Sequence, residues 1–403
     1  MRRFLSGLVV GALIIIIVVC FCWSRCHDGE GGVSDKAHVH RLMTEIFPAL
    51  APPKEDRKFR GISGSARFDD RTHLVVHDLH NGEHENQINR NRLAIVETEV
   101  VSPYSYLALN IPPDGWRGGR DKVANDLEAA CKLSETRGEK EGERVIEYLV
   151  AESGRTDKLE SGVLLLQPWL GRIFHIRITT DASGSINAKV LPTPNLVLAE
   201  VSQPPPPTQA EQYPHSPENY EGMACVRLTD GEKEYGRFLV VLGERGEDTA
   251  AGTIYWGEYN ANAPDNDKKI EWSETKLTGI RAPYHASTST KHWRDITGLH
   301  IDGDMRLFAT AAFDTGEDLP PFQSVAYQLG VICLGTADQD KRCTKYKAPR
   351  VVAVEKPEAL AASVYYKFES IAGSVGETPS EKALSIGSED EDLGGTWWPA
   401  IRK

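Results

Sequence analysis

Asn219-Tyr220-Glu221-Gly222-Met223, followed after a polar stretch by Phe238-Leu239-Val240-Val241-Leu242-Gly243-Glu244-Arg245-Gly246, is the part of the chain whose reading decides the fold. A polar residue, an apolar one, a Glu and a Gly lead into a short apolar run. A second apolar run then ends in acidic and small residues. Short runs of this kind, bounded by Gly, Asp and Asn, are the pattern of β-strands.

The same order recurs along the chain. Its openings are Arg60-Gly61-Ile62-Ser63-Gly64, Asp126-Leu127-Glu128-Ala129-Ala130, Asp295-Ile296-Thr297-Gly298-Leu299 and Lys356-Pro357-Glu358-Ala359-Leu360. The matching second runs are His73 to Asp78, Tyr148 to Gly154, Leu307 to Asp314 and Leu384 to Asp390. Three units add a third run: Arg92 to Val96, Arg172 to Ile176 and Thr253 to Trp256. Multi-strand repeats that close on themselves define a propeller. A β-sandwich shares the alternation but not an ordered two-run motif. Third positions of successive motifs stand 61 to 93 residues apart, which requires long inserted loops. The expected fold is therefore all-β, a five- or six-bladed β-propeller over residues 57–403. A sixth blade would sit in the longest interval, which also holds the Pro-rich loop at 203–208.

Ahead of the repeats, Phe4 to Trp23 runs without one ionisable side chain, long enough to cross a bilayer as a helix. Arg2 and Arg3 favour a cytoplasmic N-terminus. No small-x-small cleavage site follows the run. Residues 1–26 are thus expected to be an uncleaved transmembrane anchor and 27–56 a juxtamembrane stalk. The repeats would then be periplasmic or extracellular. A net charge of −12 excludes nucleic acid as the natural partner, since phosphate binding needs a basic footprint.

Of the seven cysteines, Cys333 and Cys343 flank a polar connection and are placed to staple it in an oxidising compartment. Cys131 and Cys225 sit in apolar runs and read as buried, inert thiols.

The third motif positions carry Ser63, Glu128, Glu221, Thr297 and Glu358. On successive blades these would lie at similar depth, where carboxylates repel one another unless a cation or hydrogen-bond donors intervene. Glu128, Glu221 and Glu358 are the candidate catalytic carboxylates. Glu152, Glu244, Asp314 and Glu389, at the ends of second runs, are the candidate metal ligands, with calcium as the ion the oxygen-rich set suits. The bland reading is that these carboxylates accept backbone N–H bonds and tie blades together. His73, His77, His80 and His84 invite a zinc reading, but strand geometry puts His80 opposite the first two and favours a polar loop. Gly61-Ile62-Ser63-Gly64-Ser65 has its second glycine too early for a nucleophile elbow. Trp256, Tyr259, Trp272, Trp293, Trp397 and Trp398 read as blade-packing residues rather than a stacking surface.

Asn125 to Ala130, Glu147 to Glu152 and Gly171 to Phe174, with Ile386 to Glu391, resemble blades of bacterial esterase-like phytase propellers and a related uncharacterised family. The resemblance spans roughly residues 57–400 and implies an extracytoplasmic protein with a phosphoester substrate. No basic cluster suited to a polyphosphate accompanies it. Asp390 to Trp397 is similar to the Asp-box turn of sialidase-like propellers, a hairpin device that bears on fold alone. The expected function is a membrane-anchored binding propeller with an unknown ligand or protein partner. The alternative is a metal-assisted phosphoester or ester hydrolase using the carboxylates at the channel mouth.

Overall fold

The computed structural model describes most of residues 61–401; the longest stretches outside that description are 1–60, 79–91 and 192–219. The expected anchor, stalk and Pro-rich loop, and His80 and His84, therefore lie outside the described residues. Among the described residues no helix is long and apolar enough to cross a membrane.

Five sheets follow one another along the chain, each antiparallel and laid out strand by strand. The first blade holds β1 (Gly64–Arg67), β2 (Thr72–Val76), β3 (Leu93–Glu97) and β4 (Tyr106–Leu109). The second holds β5 (Leu127–Arg137), β6 (Arg144–Glu152), β9 (Ile173–Thr180) and β10 (Ile186–Val190), with a small ladder of β7 (Asp157–Lys158) and β8 (Leu164–Leu165) between β6 and β9. The third is β11 (Tyr220–Arg227), β12 (Arg237–Glu244), β13 (Gly252–Asn260) and β14 (Ile270–Trp272), with β15 (Leu277–Ile280) also on β13. The fourth is β16 (Trp293–Ile301), β17 (Arg306–Phe313), β18 (Ser324–Cys333) and β19 (Arg350–Ala353), with β20 (Ala359–Ser363) also on β18. The fifth is β21 (Phe368–Gly373), β22 (Leu384–Ser388) and β23 (Trp397–Ile401).

The first strands form a closed circle: β1 packs beside β5, β5 beside β11, β11 beside β16, β16 beside β21, and β21 beside β1. The fold is a five-bladed β-propeller. Glycines permit this convergence. A Cβ at Gly64 would stand 2.6 Å from the Glu128 carbonyl oxygen, and one at Gly298 would stand 2.9 Å from that of Glu369.

Four of the five motifs open an innermost strand, but the fifth needs correction. Lys356-Pro357-Glu358 leads into β20, which pairs with β18 in the fourth blade, and Glu358 is exposed. The fifth innermost strand opens instead with Lys367-Phe368-Glu369-Ser370, which places Glu369 at the third position. Proline at 357 has no N–H to give a ladder and suits the periphery of a blade.

Blades are held by apolar layers between neighbouring sheets. One layer joins Leu127, Tyr148 and Phe174 of the second blade to Leu74 and Val76 of the first. The next joins Leu149 and Ile173 to Tyr220, Phe238 and Tyr259 of the third. Trp256, Tyr259, Trp293, Trp397 and Trp398 are all buried in such packing. Cys131 and Cys225, read as free thiols, form a disulfide between β5 and β11 with Cα atoms 5.6 Å apart. Cys333 and Cys343 form a second, with Cα atoms 5.1 Å apart.

Among the described residues the circle closes between the last blade and the first without a shared sheet. Ile62 N–H donates to the Ser388 carbonyl at 3.0 Å. His73 Nε2 meets the Gly373 carbonyl at 2.8 Å, and His77 Nδ1 meets that of Gly61 at 2.6 Å. His73 is thus a seam residue, while His77 ties the lead into β1 to the end of β2 within the first blade. Burial lowers the His73 pKa to about 4, with His300 and Arg67 adding to the effect against the Gly373 carbonyl. Because its folded pKa lies below the unfolded value, His73 stabilises the fold fully above about pH 6.5. That contribution falls away as pH drops toward 4, a loss of about 3 kcal/mol. Urea titrations at pH 7 and pH 4.5 are expected to show this drop in the wild type and a smaller one in His73→Gln. Equal drops in both would place the acid sensitivity in other groups.

Candidate axial carboxylate site

The ladder registers show how the third motif position reaches the axis. Between β5 and β6 the pairing slips at Glu128, between β11 and β12 at Glu221, and between β21 and β22 at Glu369. A bulge inserts one residue that pairs with nothing and re-aims its side chain. The flanking residues confirm the effect. Leu127 packs toward the first blade, while Ala129 packs toward the third. Tyr220 packs on the second blade, whereas a Cβ on Gly222 would meet Leu299 of the fourth. With one neighbour committed to each adjoining blade, the residue between them is left for the axis. Ser63 and Thr297 occupy the same position in the first and fourth blades, and both are fully buried.

The resulting circle is asymmetric. On one side Arg245 Nη1 donates to Glu221 Oε1 at 2.7 Å. Arg294 Nη1 stands 3.6 Å from Glu221 and 3.2 Å from Glu369, bridging the third and fifth blades. Lys367 Nζ lies 3.2 Å from Glu369. Burial drives the Glu369 pKa up to about 8, opposed by Lys367 and assisted by Glu221. Glu221 is 2 % exposed, and its Oε2 has no partner among the described residues.

The other side is carboxylate-rich. Asp78, Asp126 and Glu128 place ligand oxygens within 4.8 Å of one another. Asp126 holds a left-handed backbone (φ 61°), which Asp tolerates better than most residues. Burial, then the charge of Asp126, pushes the Glu128 carboxyl well above its ordinary range. Asp78 is raised by burial and by Glu389, to which it also hydrogen-bonds. Asp78, Glu128 and Glu389 are half-buried and so reachable from solvent.

Of the sequence candidates, the structure brings together Glu128, Glu221 and Glu389. Glu358 stands apart on the exposed lead into β20. Glu152 is buried and salt-bridged to Arg172 at 2.5 Å. Glu244 accepts a hydrogen bond from the Tyr255 hydroxyl at 3.0 Å. Asp314 lies outside the described residues. Sequence reasoning missed Glu369, Lys367, Arg294 and Arg245; a Pro-free fifth motif would have exposed the first two.

The fold and these converging carboxylates define the class: a five-bladed propeller with an acidic axis. No family model matches the chain, so the likeness to esterase-like phytases stays at short motifs. Among solved structures it is similar to an exo-1,5-alpha-L-arabinanase from a bovine ruminal metagenomic library, at 8% identity over 85% of this chain and 93% of that one, with a TM-score of 0.33. It is also similar to a levansucrase from Bacillus subtilis, at 10% identity over 85% of this chain and 82% of that one, with a TM-score of 0.41. The NanB sialidase of Streptococcus pneumoniae matches at 10% identity over 93% of this chain and 73% of that one, with a TM-score of 0.36. These values carry nothing about chemistry, which rests on the site itself.

Proposed function

We propose that the chain is a membrane-tethered, extracytoplasmic propeller that binds its ligand at the axial carboxylates, and that the ligand carries hydroxyl or amine donors. The observation that carries this reading is Glu221. A bulge delivers it to the axis, Arg245 holds one of its oxygens, and the other is buried with no hydrogen-bond partner among the described residues. Leaving such an acceptor open costs about 1–3 kcal/mol, which a donor on a bound ligand would recover. The two disulfides support an oxidising compartment. The apolar run from Phe4 to Trp23 supports the tether, and the net charge of −12 speaks against nucleic acid.

Titration calorimetry against a panel of neutral oligosaccharides and polyamines tests the reading. A ligand in the panel is expected to lose about tenfold or more in affinity in Glu221→Gln. Binding that this variant leaves untouched would move the site off the axis.

One observation favours a second reading, the metal-assisted phosphoester or ester hydrolase to which the phytase resemblance points. Asp78 hydrogen-bonds Glu389 beside it, burial and that neighbour's charge raise its carboxyl above the ordinary range, and such a pairing of two carboxyl groups is what acid–base chemistry uses. Turnover of p-nitrophenyl esters or phosphates that disappears in Glu128→Gln would favour this reading over pure binding.

A further inference from the structure

We propose that the carboxylate-rich side of the axis is a site for a hard divalent cation, calcium, built from Asp78, Asp126 and Glu128 with the Ser63 hydroxyl as a further oxygen ligand. The inference deepens the reading of the axis as a binding site and rests on it.

The geometry suits one ion. Oxygens bound to a common calcium at about 2.3–2.6 Å stand at most about 5 Å apart. The three carboxylates meet that condition, with ligand atoms within 4.8 Å of one another. They come from two blades, Asp78 following β2 and Asp126 and Glu128 opening the second blade. Among the described residues the ligand atoms gathered there are carboxylate oxygens, which selects a hard cation over zinc.

Ser63 points to a ligand independently of the acids. It is fully buried and its Oγ has no hydrogen-bond partner among the described residues. It occupies in the first blade the axial position that Glu128 occupies in the second. Its neighbours leave it there: Ile62 packs with Val75 and Trp397 toward the fifth blade, and the Cα of Gly64 faces Ala129 of the second. A buried hydroxyl left open is costly unless something binds it, and a cation takes its lone pair. Thr297, its counterpart in the fourth blade, instead donates to the Phe368 carbonyl at 2.5 Å.

The contrast between the two halves of the circle supports the assignment. Glu221 and Glu369 already have Arg245, Arg294 and Lys367 against them. On the other half, Asp78, Asp126 and Glu128 bring carboxylate oxygens against one another. Half-burial of Asp78 and Glu128 leaves an approach for the ion and for the waters that complete a coordination shell of about six to eight oxygens.

The full-length chain, stripped with EGTA and dialysed, is titrated with calcium chloride by calorimetry, and its thermal unfolding is followed with and without the ion. One calcium per chain and a raised melting temperature are expected. Asp78→Asn and Glu128→Gln are each expected to weaken binding about tenfold or more, while Glu244→Gln leaves it unchanged. Far-UV spectra of the ion-free variants check that each is folded, and using two variants keeps the outcome readable if one is not. No heat and no melting shift in the wild type would overturn the proposal, as would wild-type calcium affinity in both variants. If calcium fails while a panel ligand still binds through Glu221, the cation site alone is wrong. If calcium binds as described and no ligand depends on Glu221, the earlier reading alone is wrong.

Discussion

Replacing Arg172 with Met is expected to lower the unfolding free energy by about 3–5 kcal/mol, because it strands a carboxylate in the interior. Arg172 and Glu152 are 2 % and 0 % exposed at their side chains, and their charges meet in a two-pronged contact. Arg172 Nε donates to one Glu152 oxygen at 2.8 Å and Nη2 to the other at 2.5 Å, with the Arg172 backbone N–H adding a third bond at 3.2 Å. The guanidinium also lies 5.0 Å from the Phe174 ring centre. Removing both partners together has a different sign of risk, because the desolvation cost leaves with the attraction. The double variant Arg172→Met, Glu152→Met is therefore expected to recover most of the loss. Urea unfolding of the two single variants and the double one measures the coupling directly. A single-variant loss below about 1 kcal/mol would mean that water reaches the pair in solution.

The second large effect is expected at Trp397. Trp397→Ala should cost about 3–5 kcal/mol, since it empties the largest fully buried side chain among the described residues. The indole packs with Ile62, Val75, Ala94 and Val96 of the first blade, and its ring centre is 4.8 Å from that of His73. These contacts span the seam between the last blade and the first, where no strand is shared among the described residues. The loss should therefore appear as early opening at that seam, read by faster amide exchange in β1 and β21 than in β11. Leu107→Ala, at an exposed side chain, is the control and is expected to stay within about 0.5 kcal/mol of wild type. Uniform exchange across all blades would show that the circle opens as one unit.

Much of this was legible in the chain before any coordinates. The paired runs mark the first two strands in each of four blades, because an apolar strand between two sheets needs apolar residues on both faces. The fifth motif was misplaced because Lys356-Pro357-Glu358 mimics Lys367-Phe368-Glu369 in charge and spacing. Proline at the second position was the available warning. The bulges were not legible at all. A slip in pairing belongs to two strands at once, and neither strand's composition records it. That is why the axial role of Glu128 and Glu221 could be guessed from repetition, whereas Asp126, Arg245 and Arg294 gave no signal. The disulfide between Cys131 and Cys225 left a faint one: the two residues follow Glu128 and Glu221 at nearly the same offset, on strands that become neighbours.

The bulge also decides how the axis is free to change over generations. The third position already reads Ser, Glu, Glu, Thr and Glu around one circle, so its identity is open to point substitution. Its presence is open as well. Deleting Glu128 would leave Leu127 and Ala129 consecutive, opposite the Glu152 and Ala151 they already pair with, and packing toward opposite blades as neighbours on a regular strand do, so the bulge and its axial side chain would vanish together. The chain can thus rewrite the chemistry of its centre one codon at a time, or drop one member of it, without turning a strand over.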